Sequence, residues 1–177
     1  MSAPHWCLFS LLVALLVPVA GQPRPDAAGK EQFVGAWRLI SIETIRPNGE
    51  VIFPFYGQHP EGILMYDGSG WMSVQIVSDP PATVPASPSR EELMKANAAE
   101  KAKAFDSYYA YYGTWTVDAA QKTVTHHIRQ SLDPGERGED GVRHYVVDGD
   151  RLILTAKFPE MGEEHRRKLV WQRLSQQ

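Results

Sequence analysis

Two short motifs near opposite ends of the sequence constrain its fold most: a Gly-x-Trp formed by Gly35 and Trp37, and Arg173 in the last apolar stretch. A glycine at the start of a strand allows close backbone approach, and an indole is large enough to fill the base of a small barrel. An arginine guanidinium can lie across the face of that indole as a cation–π lid. The motifs therefore predict a closed β-barrel in which Gly35, Trp37 and Arg173 are structural. Alternatively, Trp37 is an ordinary core aromatic and Arg173 a surface residue.

The sequence between these motifs consists mostly of short segments in which apolar and polar residues alternate, as in half-buried strands. Turn signals such as Asn48-Gly49 and Asp148-Gly149 separate these segments and supply the positive φ angles of tight hairpins. Counting from Trp37, the pattern gives about eight or nine strands, with one inserted helix over residues 93–105. The predicted fold is all-β, an up-and-down antiparallel barrel that can hold one small ligand.

The first segment is predicted to lie outside this fold. Residues 6–19 form an uncharged apolar run that is short for a membrane span, and small residues follow it before Gln22. We expect a signal peptide over residues 1–21, a linker over 22–31 and one barrel domain over 32–177. The protein would then be periplasmic or secreted, without a stable membrane span after cleavage. An uncleaved membrane anchor is the alternative, because no Lys or Arg precedes the apolar run.

Cysteine content and charge exclude several classes of function. Cys7 is the only cysteine and lies in the apolar run, so the mature chain would have no disulfide, thiolate metal site or cysteine nucleophile. The 177 residues carry a net charge of -3 at pH 7, whereas non-specific nucleic-acid binding needs a basic patch. The one basic cluster, residues 166–168, follows several glutamates and is interpreted as a solvated turn. No nucleic-acid partner is expected.

The polar residues of the predicted interior centre on His126. Neighbours on a strand point to opposite faces, so His126 and His127 cannot both reach one metal ion without a bulge, and no metal site is predicted. Alternation places His126 inside the barrel, with Arg143 near it. Buried charge is costly unless it is paired. Glu43 shares the inward face of Trp37 if the first strand alternates strictly, which makes it the expected partner of Arg143.

This polar cluster has three possible roles. It either fixes the register of the barrel, or anchors the polar end of an otherwise apolar ligand, or provides His126 as a general acid or base beside Arg143. The ligand-binding role predicts contacts from Tyr66, Met72, Tyr112, His126, Arg143 and Trp171. The sequence has no Gly-x-Ser-x-Gly, His-Glu-x-x-His or phosphate-loop motif, so no catalytic residue is assigned and a binding protein is favoured over an enzyme.

Several short motifs follow one another in a specific order from residue 33 to residue 173. They are residues 33–39, Pro60-x-Gly62-x-Leu64-x-Tyr66, Tyr112-Gly113-Thr114, Thr125-His126-His127, Val142-Arg143, Gly149-Asp150-Arg151-Leu152-x-Leu154 and Val170-Trp171-x-Arg173. In this order they resemble the bacterial and fungal lipocalin-like domain family. The resemblance implies a lipocalin-like barrel that binds a small apolar molecule, with no catalytic residue to transfer. It is weakest over residues 79–109.

The sequence thus predicts an exported lipocalin-like protein that binds a small hydrophobic or amphiphilic molecule inside its barrel, with no cofactor. Two alternatives remain open. One is a small barrel enzyme of the isomerase, cyclase or hydratase type that uses His126 as acid or base. The other is a haem-binding barrel in which one histidine is the axial ligand.

Overall fold

The computed structural model describes residues 29–82, 89–160 and 162–175, and the predicted signal peptide and most of the predicted linker lie outside these ranges. The strands and helices of the described residues are β1 Gly35–Ile45, β2 Val51–Ile52, β3 Glu61–Tyr66, β4 Trp71–Val77, α1 Arg90–Lys95, α2 Ala98–Asp106, β5 Tyr108–Asp118, β6 Thr123–Ser131, β7 Asp140–Asp148, β8 Arg151–Glu160 and β9 Glu163–Arg173. A 3-10 turn, Pro134–Glu136, lies between β6 and β7.

These strands form a closed antiparallel barrel. Strands β3 to β8 each pair with the next strand along the chain, and β1 pairs with β3 on one side and with β9 on the other. Eight strands therefore close the barrel, and β2 is an extra strand paired with the end of β1. The closing pair runs from Trp37 opposite Arg173 to Ile45 opposite Arg166. The predicted all-β, up-and-down barrel of eight or nine strands is confirmed.

Trp37 and Arg173 meet at one end of the barrel, as the sequence predicts. The Arg173 guanidinium carbon lies 4.0 Å from the centre of the Trp37 ring. The same guanidinium donates hydrogen bonds to the carbonyls of Val34 and Gln32. Gly35 has a φ of +128°, and a Cβ atom at this position would lie 3.2 Å from a guanidinium nitrogen of Arg173. A glycine is therefore favoured here both by its backbone angle and by the room that the guanidinium needs.

Phe33 plugs this end of the barrel from inside. Its ring is completely buried and packs edge to face against Tyr66 and Tyr145, at centroid distances of 5.5 and 4.8 Å. The Trp37 indole N–H donates to the Phe33 carbonyl at 2.7 Å. These aromatic side chains pack together at this end of the interior.

A β-bulge in β1 changes which residues face the interior. The pairing of β1 with β9 shifts between Leu39 and Ser41, so the buried residues are Trp37 and Leu39 before the bulge and Ile42 and Thr44 after it. A bulge adds one residue to a strand and so reverses the alternation beyond it. The expectation that Glu43 shares the inward face of Trp37, which required strict alternation along β1, was wrong for this reason.

Two short helices replace the single predicted helix. α1 begins after Ser89, whose side chain accepts a hydrogen bond from the N–H of Glu92. α2 begins after Asn97, which forms a reciprocal capping box with Glu100. Neither helix has a buried residue. Within residues 29–82, 89–160 and 162–175, no helix combines the length and apolarity that a membrane span requires.

Candidate ligand-binding site

His126 is the centre of a buried polar group inside the barrel. The residue is completely buried, and its inward-facing neighbours on β6, Val124 and Ile128, also belong to the buried core. Its Nε2 atom lies 2.6 Å from the hydroxyl oxygen of Tyr66, and its Nδ1 atom lies 2.7 Å from the hydroxyl oxygen of Tyr111. Both ring nitrogens are therefore engaged by tyrosines.

Burial keeps all three of these side chains uncharged. Loss of hydration lowers the pKa of His126 well below its ordinary value, and the nearby Arg143 and His127 lower it further. Burial also raises the pKa of Tyr66 and Tyr111, so both hydroxyls keep their protons. A neutral imidazole has one donor and one acceptor nitrogen. One tyrosine thus donates to His126, and the other accepts from it.

The neutral His126 predicts that stability falls in mild acid. A histidine of the unfolded chain titrates near about pH 6.5, so below this pH the unfolded state binds a proton that the folded state excludes. Protonation then favours unfolding, and we expect His126 to contribute a fall in the free energy of unfolding of up to about 1.4 kcal/mol per pH unit. Urea unfolding between about pH 5 and 7 measures this slope.

The matched variant for this experiment is His126→Gln, which keeps a polar side chain and removes the titration. The slope of its unfolding free energy against pH should be smaller than that of the wild type, because His126 no longer contributes. All other titrating groups are the same in both proteins. Equal slopes for the wild type and His126→Gln would show that the pKa of His126 is the same in the folded and unfolded states. The ring resonances of His126 in a nuclear magnetic resonance titration provide a second readout that does not depend on the variant.

A cavity of about 70 Å³ lies beside His126. Most of its wall is apolar, and its polar groups are a histidine, tyrosines and two arginines. The lining residues are Ile42, Tyr56, Leu64, Val74, Ile76, Tyr109, Tyr111, His126, Arg143, Leu154, Arg167, Leu169 and Trp171. A space of this size suits a few water molecules or the polar end of a larger molecule, whereas pockets for a whole drug-sized ligand measure roughly 300–1,000 Å³.

An open groove at the mouth of the barrel adjoins the cavity. This mouth groove measures about 670 Å³, and it is lined by Phe55, Tyr56, Phe105, Asp106, Tyr108, Tyr109, Leu132, Asp133, Glu136, Glu160 and Arg167. Tyr56, Tyr109 and Arg167 line both spaces and so form the wall between them. The rings of Tyr56 and Tyr109 are 6.2 Å apart. Since Phe105 belongs to α2, this helix covers part of the mouth.

Two arginines bring positive charge to the cavity wall. Arg143 on β7 donates to the Gly141 carbonyl at 2.7 Å, and it forms no ion pair with any carboxylate of the described residues. Arg167 on β9 is partly neutralised, since its Nη2 atom lies 3.5 Å from a carboxylate oxygen of Glu160. The sequence predicted that the basic cluster of residues 166–168 forms a solvated turn. That prediction is wrong, because these residues belong to β9. Arg167 lies on this strand opposite the buried Thr44.

The predicted ion pair between Arg143 and Glu43 is wrong. Glu43 lies after the β1 bulge, where the alternation of faces is reversed. Its neighbours Ile42 and Thr44 are buried and face the interior, so Glu43 faces outward. The Glu43 carboxylate instead lies 3.3 Å from the Nζ atom of Lys168. Arg143 is therefore left without the carboxylate that the sequence had assigned to it.

Three of the six residues proposed as ligand contacts, His126, Arg143 and Trp171, line the cavity together. Two others, Tyr66 and Met72, are buried in the core but do not line the cavity. Tyr66 lies behind His126 and supports it through the hydrogen bond to Nε2. Its role is thus to position the imidazole rather than to contact a ligand in this cavity.

The sixth residue, Tyr112, was placed on the wrong face. Its side chain is 48% exposed, whereas Tyr111 is buried and Tyr109 is half-buried. Because tyrosines occupy both odd-numbered and even-numbered positions of residues 108–112, alternation does not decide which set of tyrosines points inward. Tyr56 and Arg167 also line the cavity, and neither was predicted from the sequence. The signal for Arg167 was its place in the middle of the basic cluster, and the run of tyrosines over residues 108–112 indicated that tyrosines line the site.

His127 lies on the outer face of β6, as strand alternation predicts. Its Nδ1 atom is 2.7 Å from a carboxylate oxygen of Asp140, and its Nε2 atom is 2.9 Å from the hydroxyl of Thr116. The Asp140 side chain is 59% exposed. These three residues form a cross-strand polar network on an open surface, separate from the interior site.

The geometry disfavours haem ligation and acid–base catalysis by His126. An axial ligand must offer a free ring nitrogen to the iron, and both nitrogens of His126 are bonded to tyrosines. The cavity of about 70 Å³ is also much smaller than a porphyrin. A general acid or base must reach the proton that it transfers, and the two hydroxyls occupy both positions. The arrangement is better suited to holding the polar end of a ligand.

Comparison with known protein families matches a lipocalin-like domain to residues 34–174. This span contains every strand from β1 to β9 and all residues that line the cavity. A search of curated proteins finds no match to the chain.

Proposed function

Because the chain belongs to the lipocalin-like domain family, a family of small-molecule-binding barrels, we propose that it binds a small amphiphilic molecule. The polar end of this molecule occupies the cavity beside His126, and its apolar part extends into the mouth groove. The observation that carries this proposal is the cavity itself, in which an apolar wall surrounds a few convergent polar groups. Binding sites for small molecules commonly have this composition.

The apolar wall supports an apolar portion in the ligand. Leu64, Ile76, Leu154 and Leu169 line the cavity, and burial of apolar surface against such side chains contributes roughly 25 cal/mol per Å². The polar groups support a head group that can form hydrogen bonds, because a buried polar group without a partner is costly. A purely apolar ligand would leave the two donors of the wall that are unpartnered within the described part of the chain, the indole N–H of Trp171 and the Nε of Arg167, without an acceptor.

The mouth groove supports a ligand longer than the cavity. Phe55 and Phe105 line the groove and are 63% and 49% exposed, and exposed large apolar side chains beside a cavity are typical of a ligand-binding surface. A molecule that reaches from the cavity into the groove passes Tyr56 and Tyr109. Tyr56 lies in the loop between β2 and β3, so its ring is the one that moves aside most easily.

Export of the protein is part of this proposal. Its support is the uncharged apolar run over residues 6–19, followed by small residues before Gln22. A barrel that acts outside the cytoplasm would meet amphiphiles in the medium or at a membrane surface. The mass of the mature chain, obtained in the experiment below, shows whether cleavage occurs before Gln22.

Native mass spectrometry of the protein purified from its own host tests the proposal. We expect a bound small molecule, and we expect Leu169→Phe to reduce its occupancy at least tenfold, because the larger ring fills the cavity. Overpacking of this kind costs about 1–3 kcal/mol of stability, which still permits folding. The control is Ile153→Phe, which adds the same ring on β8 at an outward-facing position between the buried Leu152 and Leu154.

Two results would contradict the proposal. One is a protein that carries no small molecule and binds none of a panel of alkyl probes. The other is a Leu169→Phe variant that binds as tightly as Ile153→Phe, which would place the ligand outside the cavity. Circular dichroism of both variants shows that each is folded before binding is compared.

A further inference from the structure

The cavity presents more hydrogen-bond donors than acceptors, and on this basis we propose that the ligand's polar end is a carboxylate held by Arg143. The inference rests on the proposed function, since it names the head group of the ligand proposed there. Three observations support it: unpaired donors in the cavity wall, the direction of the hydrogen bonds around His126, and the uncompensated charge of Arg143.

Two buried donors of the cavity wall have no partner among the described residues. They are the indole Nε1 of Trp171 and the guanidinium Nε of Arg167, and both residues line the cavity. Trp171 is only 1% exposed, so solvent does not satisfy its N–H. An indole N–H and a guanidinium N–H can donate but cannot accept. Both groups therefore require an acceptor atom.

The hydrogen bonds around His126 add a third donor. Tyr66 does not line the cavity, and within the described part of the chain Nε2 of His126 is the one partner of its hydroxyl. Its proton must point at Nε2, because a buried O–H without an acceptor is costly. Nδ1 then carries the imidazole proton and donates to Tyr111. Tyr111 lines the cavity, and its own O–H is left to donate to a ligand.

The charge of the cavity wall has the sign that suits an anion. Two of the lining residues are arginines and none is acidic. Arg143 is half-buried, and among the described residues it forms no ion pair; its contacts are the Gly141 carbonyl and the Tyr111 ring, whose centre is 5.9 Å away. A buried charge is costly until it is paired. Glu136 and Glu160 line the mouth groove instead, where they offset part of the positive charge. A singly charged carboxylate, which has acceptor oxygens only, matches both the donors and the charge.

Three probes that share one alkyl chain test the head group: decanoate, 1-decanol and decylamine, titrated into the full mature protein by calorimetry. We expect decanoate to bind at least about tenfold more tightly than 1-decanol, and decylamine to bind more weakly than either. Arg143→Met should weaken decanoate binding by roughly 10- to 100-fold. It should leave the affinity for 1-decanol within about twofold of the wild type.

The control is Arg129→Met, which removes an exposed arginine from β6 and should leave the preference for decanoate intact. Trp171→Phe is a second test, because it removes one N–H donor and keeps an aromatic ring in the wall. It should weaken decanoate binding severalfold with little effect on 1-decanol. This variant keeps the inference testable if Arg143→Met fails to fold.

The outcomes separate the inference from the proposed function. Equal affinities for decanoate and 1-decanol, both lost in Leu169→Phe, would overturn the carboxylate and leave the binding function standing. A preference for decanoate that survives both Arg143→Met and Trp171→Phe would overturn the assigned head-group site. Absence of binding by all three probes, together with an empty protein from the host, would overturn both proposals.

Discussion

Replacement of Trp37 by alanine is expected to lower the free energy of unfolding by about 3–5 kcal/mol, the usual cost of truncating a buried tryptophan. The indole is completely buried, donates to the Phe33 carbonyl and lies under the Arg173 guanidinium. The variant therefore loses packing, a hydrogen bond and the cation–π contact together. Since domains of this kind are stable by only about 5–15 kcal/mol, a large share of the stability would be lost.

Chemical denaturation followed by circular dichroism measures this loss. Trp71→Ala is the matched control, because the Trp71 side chain is 51% exposed and its removal should cost less than about 1 kcal/mol. If the two variants lose the same stability, Trp37 does not seal the barrel as described here.

Replacement of His126 by leucine is expected to cost about 2–5 kcal/mol, for a different reason. Leucine fills a similar space but leaves the hydroxyls of Tyr66 and Tyr111 facing an apolar side chain, whereas each now bonds to an imidazole nitrogen. A buried polar group that loses its partner costs about 1–3 kcal/mol. The loss should therefore exceed that of an ordinary core substitution of the same size.

A compensating variant distinguishes this explanation from poor packing. Combining His126→Leu with Tyr66→Phe and Tyr111→Phe removes both stranded hydroxyls, and replacing all partners by apolar groups is often nearly neutral. The triple variant should thus recover much of the stability lost in His126→Leu. A triple variant that is less stable than His126→Leu would show that the hydroxyls were not the source of the loss.

The closing pair and the number of strands could be predicted from the sequence because their signals are local. Gly35 and Trp37 open the first strand, Arg173 ends the last, and glycine-containing turns mark the strands between them. The prediction of a closed barrel needs only these positions and the count. It does not depend on which residues of each strand face the interior.

The site could be predicted only in part, because its details depend on register. The bulge after Leu39 is set by how β1 pairs with β9, and no local signal revealed that Glu43 turns outward. Alternation does not distinguish Tyr111 from Tyr112, and the pairing of β5 with its neighbouring strands decides which of the two faces the interior. His126 and Arg143 were found because the strands that carry them alternate without interruption toward the site.

The pairing of β1 with β9 has a consequence for how the protein reaches this structure. Arg173 donates to the carbonyl of Val34, 139 positions earlier in the chain, so the contacts that close the barrel are among the most distant in sequence. Such contacts form only after a large loop has been closed, and chains rich in them fold in milliseconds to seconds. Until then β1 and β9 are open sheet edges that can pair with other chains. Closure is thus a late kinetic step, and it also removes the surface through which this chain is most prone to aggregate.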